Sequence, residues 1–268
     1  MSMRGASADA LAALSDKLDG SSGAKSLAGL GDDLFGLAAV LRAQPAVRRV
    51  VTDPSTDAAA KSGLVRQLFD GKVDAAALDL VADAVERRWS SSRDLPTALE
   101  QLGVVAVVKS AGKDASLLAD ELFSVGQLLH NDTDLRSALS DPARSVDDKR
   151  ALVRNVLDGK VLPATVRLTE QALAGTYRTV NLGLAEYQQV ASEVQGEMVA
   201  EVRAASTLSD KDRTRLQGAL SAQYGRPVHL NVVIDPDVIG GLRVEIGDDV
   251  IDGTVASRLD QARRKLAG

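Results

Sequence analysis

LRAQPAVRRVVTDPSTDAAAKSGLVRQLFDGKV, residues 41–73, recurs without a gap as LHNDTDLRSALSDPARSVDDKRALVRNVLDGKV, residues 129–161, and this repetition decides the fold. The offset is 88 positions, which pairs Asp53-Pro54 with Asp141-Pro142 and Asp70-Gly71 with Asp158-Gly159. Solenoid repeats have much shorter periods, roughly 20 to 50 residues. The sequence therefore predicts one small domain that occurs twice, followed by a different tail.

The composition restricts both the fold and the partners. Hydrophobic residues make up 45% of the 268 residues but aromatic residues only 3%, so the cores must be built from Ala, Leu and Val, which favours close-packed helices. The absence of cysteine excludes disulfides, thiolate metal sites and cysteine nucleophiles. A net charge of -5 removes the attraction on which nonspecific nucleic-acid binding depends. Because we find no long apolar run and no signal-peptide core, we expect a soluble, cytoplasmic protein.

Local signals in both copies predict short helices. The residue before a proline is disfavoured in the α region, so the Asp-Pro pair of each copy is predicted to end a helix. Ser145, followed three residues later by Asp148, is typical of a capping box at the start of the next helix. The Asp-Gly pair of each copy is predicted to end that helix, because glycine tolerates the left-handed conformation. Helical spacing continues to Trp89 in the first copy and to Tyr177 in the second.

After about residue 198 the hydrophobic period changes to that of strands. Apolar and polar residues alternate over 228–234, with His229 predicted to point outward, and again over 242–246. Residues 198–205 and Val250-Ile251 are predicted to add strands, and a second Ser-x-x-Asp start at Ser209 predicts a helix up to Tyr224. A closing helix is predicted from its apolar spacing at Val255, Leu259, Ala262 and Leu266.

These patterns predict a mainly α protein with a small α+β C-terminal domain and two tandem helical bundles of about five or six helices each. The predicted domains are an extra helical bundle at residues 1–103, a second bundle at 104–197 and the α+β domain at 198–268.

The sequence contains no recognisable nucleotide-binding motif. A Walker A loop has a glycine five positions before its Gly-Lys, but Arg66 and Arg154 occupy those places before the two Asp-Gly-Lys triplets. Gly29-Leu30-Gly31 begins like a dinucleotide fingerprint, yet Leu34 stands where the third glycine belongs, and we interpret the segment as a loose turn. The triplets are therefore interpreted as helix ends.

Catalytic and metal-binding constellations are also missing from the sequence pattern. The two histidines, His130 and His229, have no second ligand at metal-binding spacing. The acidic pair Asp248-Asp249 lies in a predicted turn, and Ile239 breaks the ligand series that an EF-hand would need. We therefore expect no catalytic residue, no cofactor and no metal.

Two segments of the tail carry a specific pattern: VVIDPDVIGGLRV at residues 232–244 and GDDVIDGTV at residues 247–255. On these segments, residues 104–268 resemble the delta subunit of bacterial F-type ATP synthases, the counterpart of the mitochondrial oligomycin-sensitivity-conferring protein. Upstream, Leu129 to Lys160 is similar to the N-terminal helical bundle of that family, including its Asp-Pro stop and Asp-Gly-Lys helix end. The usual family member has one such bundle, so the residues before 104 are a divergent extra copy.

The resemblance implies a non-catalytic subunit of the peripheral stalk, the stator that holds the catalytic head against the torque of the rotor. In that family the helical bundle binds N-terminal helices of the alpha subunits, and the C-terminal domain binds the end of the b-type stalk subunits. The implied partners are therefore alpha and b subunits, with no nucleic acid. The implied location is the cytoplasmic face of the cell membrane, which the chain reaches only indirectly through the complex.

The resemblance also places a candidate groove for an alpha-subunit helix between the first and fifth helices of the second copy. Its predicted lining is Val104, Val105, Val108, Leu168, Ala172 and Leu173. The first copy could offer a similar groove or brace the stalk, and the sequence leaves both roles open. In the tail, the contact with the b subunit is expected on exposed faces beside residues that pack the tail's own sheet, namely Leu216, Leu220, Val255 and Leu259.

Two other classes of function stay open at this point. A tandem helical adaptor of another complex would need a partner-binding face, and a nucleic-acid adaptor in particular would need one coherent basic face. A hydrolase would need a carboxylate pair that comes together only in three dimensions, with two buried acids of raised pKa in one cleft.

Overall fold

The chain folds into helices followed by a small sheet, in agreement with the predicted fold class. The computed structural model describes residues 3–20, 24–174, 177–255 and 257. Two compact units divide the chain, Met1–Val190 and Ala191–Gly268. The first unit contains helices from both sequence copies, and the second contains the sheet.

The helices that precede the sheet are short and follow one another closely. Their bounds are α1 (Ala6–Asp19), α2 (Ala24–Ala43), α3 (Pro45–Thr52), α4 (Ala58–Phe69), α5 (Ala75–Glu86), α6 (Asp94–Ser110), α7 (Ala115–Asn131), α8 (Thr133–Ser140), α9 (Val146–Leu157), α10 (Pro163–Ala174) and α11 (Val180–Val194). A 3-10 turn, Gly112–Asp114, separates α6 from α7.

The two copies share a helix. Shifted by 88 positions, α3, α4 and α5 coincide end to end with α8, α9 and α10. With the same offset, the start of α1 corresponds to the start of α6, so α6 is the first helix of the second copy. It is also the last helix of the first copy. The predicted boundary between residues 103 and 104 therefore falls inside a continuous helix, and both copies lie in one compact unit. The division at 103 and 104 stays a prediction about sequence copies.

A side-chain contact that recurs in both copies fixes how their helices meet. Oδ2 of Asp33, on α2, accepts a hydrogen bond of 2.8 Å from the backbone N–H of Asp74, just before α5. Oε2 of Glu121, its counterpart on α7, accepts one of 2.8 Å from the backbone N–H of Leu162, just before α10. The first N–H groups of a helix have no partner inside the helix. Each acid therefore attaches its own helix to the start of another.

The Asp-Gly-Lys triplets end helices, as predicted. α4 and α9 end immediately before the triplets, and Gly71 and Gly159 have φ angles of 67° and 68°. The Nζ atoms of Lys72 and Lys160 donate to carbonyl oxygens four residues earlier, at 2.8 and 2.9 Å. Both lysines thus satisfy helix carbonyls that have no partner within the helix.

Helices α2 and α6 cross closely at two glycines. A Cβ atom on Gly31 would lie 2.6 Å from Cγ2 of Val107, and one on Gly103 would lie 2.6 Å from Cε1 of Phe35. Gly29-Leu30-Gly31 lies within α2, so the predicted loose turn is wrong. Glycine is unfavourable inside an isolated helix, but here its missing side chain permits the close crossing.

The second unit is a mixed sheet with one helix packed on it. The strands are β1 (Met198–Ala204), β2 (Val228–Ile234), β3 (Leu242–Ile246) and β4 (Asp249–Asp252), in the order β2-β1-β3-β4. Helix α12 (Asp210–Tyr224) connects β1 to β2, which are parallel, while β3 is antiparallel to both β1 and β4. Leu216 and Leu220 of α12 pack against the sheet, as expected.

Both predicted capping boxes form. Oγ of Ser145 accepts a hydrogen bond of 3.1 Å from the backbone N–H of Asp148 at the start of α9. Oγ of Ser209 accepts one of 3.2 Å from the backbone N–H of Asp212 at the start of α12. Local sequence alone determines these two helix starts.

The predicted outward orientation of His229 is wrong, because this side chain is only 7% exposed. Strand β2 is buried on both faces from Val228 to Asn231. Alternation of polar and apolar residues therefore does not separate core from solvent in this strand. Nδ1 of His229 lies 3.7 Å from Oε2 of Glu197.

Two predicted helices end earlier than their apolar spacing suggested. α5 ends at Glu86 and α10 at Ala174, so Trp89 and Tyr177 follow the helices rather than belong to them. Arg87, next after α5, has an extended backbone, and Trp89 turns back so that its Nε1 donates to the carbonyl of Ala84 at 2.8 Å.

In the tail, Val255 was expected to pack in the sheet core but is exposed. It borders the turn at Gly240, and the backbone N–H of Val255 donates a hydrogen bond of 2.9 Å to the carbonyl of Gly240. Leu259, Ala262 and Leu266 of the predicted closing helix lie outside the described residues.

Candidate partner-binding surfaces

The predicted groove residues lie on α6 and α10, but the helical unit itself covers most of them. Four of them are no more than 4% exposed: Val104, Val108, Leu168 and Ala172. The other two, Val105 and Leu173, are half-buried. A side chain without exposed surface offers nothing to a foreign helix until its neighbours move. Binding of an alpha-subunit helix at these six residues stays a prediction.

The helix that packs over this region is α2, which belongs to the first copy. It lies along α6 and also contacts α10. Arg42 on α2 forms an ion pair with Glu100 on α6, and Asp32 on α2 forms one with Arg167 on α10, with 3.2 Å between Oδ2 and Nε. A helix of the same chain therefore lies against both helices of the predicted groove.

The equivalent positions of the first copy show why α6 is so apolar. Asp16 and Lys17 on α1 and Gly20, just after it, stand where α6 has its three predicted groove valines, and all three are exposed. A helix at the edge of a bundle has a polar outer face, whereas a helix enclosed on all sides is apolar all round. The position of α6 between the two copies thus accounts for its valines.

A buried carboxylate joins four helices of this unit. Glu100 on α6 is 2% exposed. Its Oε1 accepts hydrogen bonds from the hydroxyl of Tyr187 on α11, at 2.7 Å, and from Nε2 of Gln171 on α10, at 3.2 Å. Its Oε2 accepts one from Nη2 of Arg42 on α2. Burial of a charge is costly unless the charge is paired and hydrogen-bonded, and Glu100 meets both conditions.

Two tyrosines beside this carboxylate stay protonated at neutral pH. Burial, and then the nearby Glu100 carboxylate, raises the pKa of Tyr187 far above its ordinary value. Burial, and then Glu186, raises the pKa of Tyr177 to about 12. The Tyr177 ring meets the Tyr187 ring edge to face, with 5.5 Å between centroids. Both hydroxyls are therefore hydrogen-bond donors under ordinary conditions.

Two acids of this unit face arginines: Asp32, which is exposed, and Glu100, which is buried. Burial raises the pKa of Asp32, and the charge of Arg167 opposes that shift. Glu100 faces Arg42 in the same way. The hydrolase alternative needs two such acids facing each other, which these two do not provide. Within the described ranges, no cluster of three or more His, Asp or Glu side chains could hold a metal ion.

Two exposed leucines lie on one face of α7, in the second copy. Leu117 and Leu128 are 48% and 40% exposed, and their separation of about three helical turns places both on the same face, with exposed Ser124 between them. We call Leu117, Ser124 and Leu128 the α7 stripe. In the first copy, the counterparts of the two leucines are Gly29 and Val40.

Sequence reasoning missed the α7 stripe, although a signal for it exists. The core face of α7 consists of four buried residues at helical spacing: Leu118, Leu122, Val125 and Leu129. Leu117 and Leu128 fall outside that spacing. Single exposed apolar residues are common on protein surfaces, so the signal here is that the two leucines share one face of the helix.

The second unit exposes apolar residues in the loop before β3 and on its edge strand β4. Ile239, in the loop before β3, is 81% exposed, and Val250 and Ile251 on the edge strand β4 are also exposed. A cavity of about 550 Å³ lies beside this loop, between α12 and the Gly240-Gly241 turn. An edge strand with exposed apolar side chains is a common contact surface for partners.

None of the helices within the described residues combines the length and the hydrophobicity that crossing a bilayer requires.

Comparison with known proteins gives consistent similarities. Residues 104–266 match the family model described as the ATP synthase delta (OSCP) subunit. The ATP synthase subunit delta of a Nocardioides species (strain JS614) is 58% identical, over 100% of this chain and 98% of that protein. The subunit delta of Thermobifida fusca is 39% identical, over 99% of this chain and 100% of that protein. A chain of the Toxoplasma gondii mitochondrial ATP synthase hexamer, solved by cryo-electron microscopy, has a TM-score of 0.36 and 22% identity, covering 62% of this chain and 95% of that chain.

Proposed function

The chain belongs to the ATP synthase delta (OSCP) subunit family, and we propose that it connects the catalytic head to the stalk through separate surfaces on its two compact units. As a member of this family it is a non-catalytic component of the peripheral stalk of the ATP synthase, which couples proton transport to ATP synthesis. The observation that carries the proposal is the match to a subunit delta along the whole length, with the extra first copy included. The contacts with particular subunits follow from the exposed apolar surfaces.

The proposed contact with the head is the α7 stripe, which would bind an N-terminal helix of an alpha subunit. Leucines spaced along one helical face are suited to the apolar side of an amphipathic helix. The predicted groove between α6 and α10 is less accessible, because α2 packs along it. In the first copy the corresponding face carries Gly29 and Val40, which offer less apolar area. The second copy is therefore the favoured binding site for the alpha subunit.

Leu128→Asp tests this contact, with Val40→Asp as its matched control. The two residues are repeat counterparts with nearly equal exposure, 40% and 41%. A charge in an apolar contact is costly, so Leu128→Asp should weaken binding of an alpha N-terminal peptide at least about tenfold in calorimetry, and Val40→Asp should not. Equal affinity in both variants, with helical circular dichroism unchanged, would reject the α7 stripe. Loss of affinity only in Val40→Asp would move the site to the first copy.

The groove on α6 and α10 needs a different variant. Leu168 is fully buried, so an aspartate there would disrupt the core whether or not a partner binds. Leu173 is half-buried on the same helix and is the better position. Weaker peptide binding by Leu173→Asp together with normal binding by Leu128→Asp would favour the groove over the stripe, and would imply that α2 moves aside.

The proposed contact with the b-type stalk subunit lies on the second unit. Ile239 and the exposed β4 residues Val250 and Ile251 form its apolar part. Removal of residues 198–268 should abolish binding of the b subunit in a pull-down, while the helical circular dichroism of the remaining unit is retained. Ile239→Asp should weaken the same binding, and Ile234→Asp, exposed at the end of β2 on the other edge of the sheet, is its control. Stalk binding by the truncated chain would contradict this assignment.

The chain is associated with the membrane through the complex. We place it on the cytoplasmic face of the cell membrane, where the head and the stalk would meet. Treatment of inverted and right-side-out vesicles with a protease tests this, because only the inverted vesicles should lose the chain. Digestion in right-side-out vesicles alone would contradict the placement.

A further inference from the structure

A cavity in the helical unit is surrounded by arginines. It has a volume of about 770 Å³, and its lining includes Arg42, Arg48, Arg93 and Arg178, which come from α2, α3 and the segments before α6 and α11. The chain as a whole has a net charge of -5. The lining also contains two acids, Asp94 and Glu186, so the four arginines leave an excess of positive charge, which attracts anions.

Most of this charge has no carboxylate partner. Arg42 is paired with Glu100, but Arg48, Arg93 and Arg178 have no ion pair within 4.0 Å among the described residues. Asp94, one of the two acids in the lining, accepts hydrogen bonds from Oγ of Ser7 at 2.6 Å and from the backbone N–H of Ser91 at 3.1 Å.

Several polar atoms of the lining residues are buried without a hydrogen-bond partner in the protein. They are Nε and Nη1 of Arg42, Nε of Arg48 and Oε1 of Gln101. Buried N–H groups without acceptors are rare in folded proteins, because each loses its contact with water. An oxyanion provides several acceptors at once and binds guanidinium groups through paired N–H···O contacts.

The sequence repeat separates structural arginines from those that need another explanation. Arg48 and its counterpart Arg136 both donate from Nη1 to carbonyls at the end of the preceding long helix, at 3.1 and 2.6 Å, so this contact belongs to the fold. Arg93 and Arg178 have Asn181 and Ser90 as counterparts. The other copy therefore has no arginine equivalent to either of them.

We propose that the cavity binds the phosphate group of a small molecule, with Arg93 and Arg178 as the phosphate-binding side chains and Tyr177 as a hydroxyl donor. The Tyr177 hydroxyl carries its proton at neutral pH, as an ordinary tyrosine does, and burial raises its pKa further, to about 12. The cavity is larger than one phosphate ion and lies within the range of small-molecule pockets, about 300–1,000 Å³. Pro96, Leu182 and the Tyr177 ring add apolar walls, so the ligand carries its phosphate on an apolar or aromatic body, as a nucleoside monophosphate does.

Calorimetry with the purified full-length chain tests the site with AMP, inorganic phosphate and adenosine as probes. AMP should bind, phosphate should bind with equal or lower affinity, and adenosine should bind most weakly. Arg93→Gln and Arg178→Gln should each lower the affinity for AMP at least about tenfold, because each removes a charge-assisted contact. Arg49→Gln is the control, since Arg49 is exposed on the same helix as Arg48 but does not line the cavity.

Each outcome of the calorimetry either supports or overturns the phosphate site. Saturable binding of AMP or phosphate that depends on Arg93 and Arg178 supports the proposal. Tighter binding of AMP than of phosphate supports a ligand whose phosphate is attached to an apolar or aromatic body. No saturable binding of either probe overturns it, as does equal affinity in both arginine variants and the wild type. If the variants weaken only the assembly with other stalk subunits, the arginines bind an acidic protein segment and the small-molecule assignment is overturned.

Discussion

Tyr187 donates a hydrogen bond of 2.7 Å from its hydroxyl to Oε1 of Glu100, the carboxylate whose Oε2 binds Arg42. Arg42 belongs to the first sequence copy and Tyr187 to the second, while Glu100 lies on α6, the helix they share. The same helix crosses α2 at Gly31 and Gly103. Two domains joined by a linker could bend against each other, but these contacts make both copies one packed unit. Such a unit transmits force without a hinge between the copies, which suits a stator.

Tyr187→Phe should destabilise the helical unit by about 1.5–3 kcal/mol, the usual cost of losing a hydrogen bond to a charged group. Tyr177→Phe is the matched control, because the same hydroxyl is removed from the neighbouring ring, 5.5 Å away, which has no contact with Glu100 among the described hydrogen bonds. Urea unfolding followed by circular dichroism measures both. Equal destabilisation by the two variants would show that the Tyr187 hydroxyl has no special role.

Glu100→Gln should be more damaging, by about 3–5 kcal/mol, because it leaves the Arg42 guanidinium buried without its counter-charge. Asp147→Asn provides the comparison, since it removes the carboxylate of an exposed ion pair with Arg150. Exposed pairs contribute little, so the unfolding midpoint of Asp147→Asn should stay close to that of the wild type. Similar midpoints for the two variants would mean that the buried cluster contributes no more than a surface pair.

Sequence alone predicted the elements that depend on local chemistry. The Asp-Pro stops, the Ser145 and Ser209 capping boxes and the Asp-Gly-Lys helix ends each involve residues a few positions apart, so the pattern contains the whole interaction. The strands β2 and β3 were predicted for a similar reason, because a period of two is visible within each of them. The repeat added a second, independent copy of each helical signal.

The arrangement of the elements could not be predicted, because it depends on which surface covers which. Val104 and Val108 were predicted from the family resemblance to line a groove, but a resemblance does not tell whether a partner or the same chain packs on them, and α2 packs along that helix. His229 was placed in solvent because one sheet face was assumed to be open, whereas β2 is buried on both faces. Glu100 gave no signal at all, since a single acid in an apolar helix has no partner nearby in sequence.

Alkaline pH should destabilise the helical unit through its tyrosines. The pKa of Tyr177 is about 12 in the folded chain against an ordinary 10.0, and that of Tyr187 is raised further in the same direction. Above pH 10 the unfolded chain releases these protons while the folded chain retains them. The contribution of the two tyrosines to the free energy of unfolding is therefore fully present below pH 10 and is lost as the pH rises toward 12. Thermal unfolding from pH 9 to 12 should show this fall. Tyr177→Phe should make it less steep, and an unchanged slope would contradict the assignment.

Gly31→Ala should destabilise the chain by about 1–3 kcal/mol, because its new Cβ would lie 2.6 Å from Cγ2 of Val107 and 3.0 Å from the carbonyl oxygen of Gly103, so α2 and α6 must move apart. Gly36→Ala, on the same helix, is the matched control, since a Cβ there meets nothing within 4 Å. It should stabilise the chain by about 0.5–1 kcal/mol, as alanine favours a helix more than glycine does. Urea unfolding measures the change in the free energy of unfolding for both variants. If Gly31→Ala also stabilised the chain, α2 and α6 would not pack at the observed distance, and the shielding of the predicted groove by α2 would fail with it.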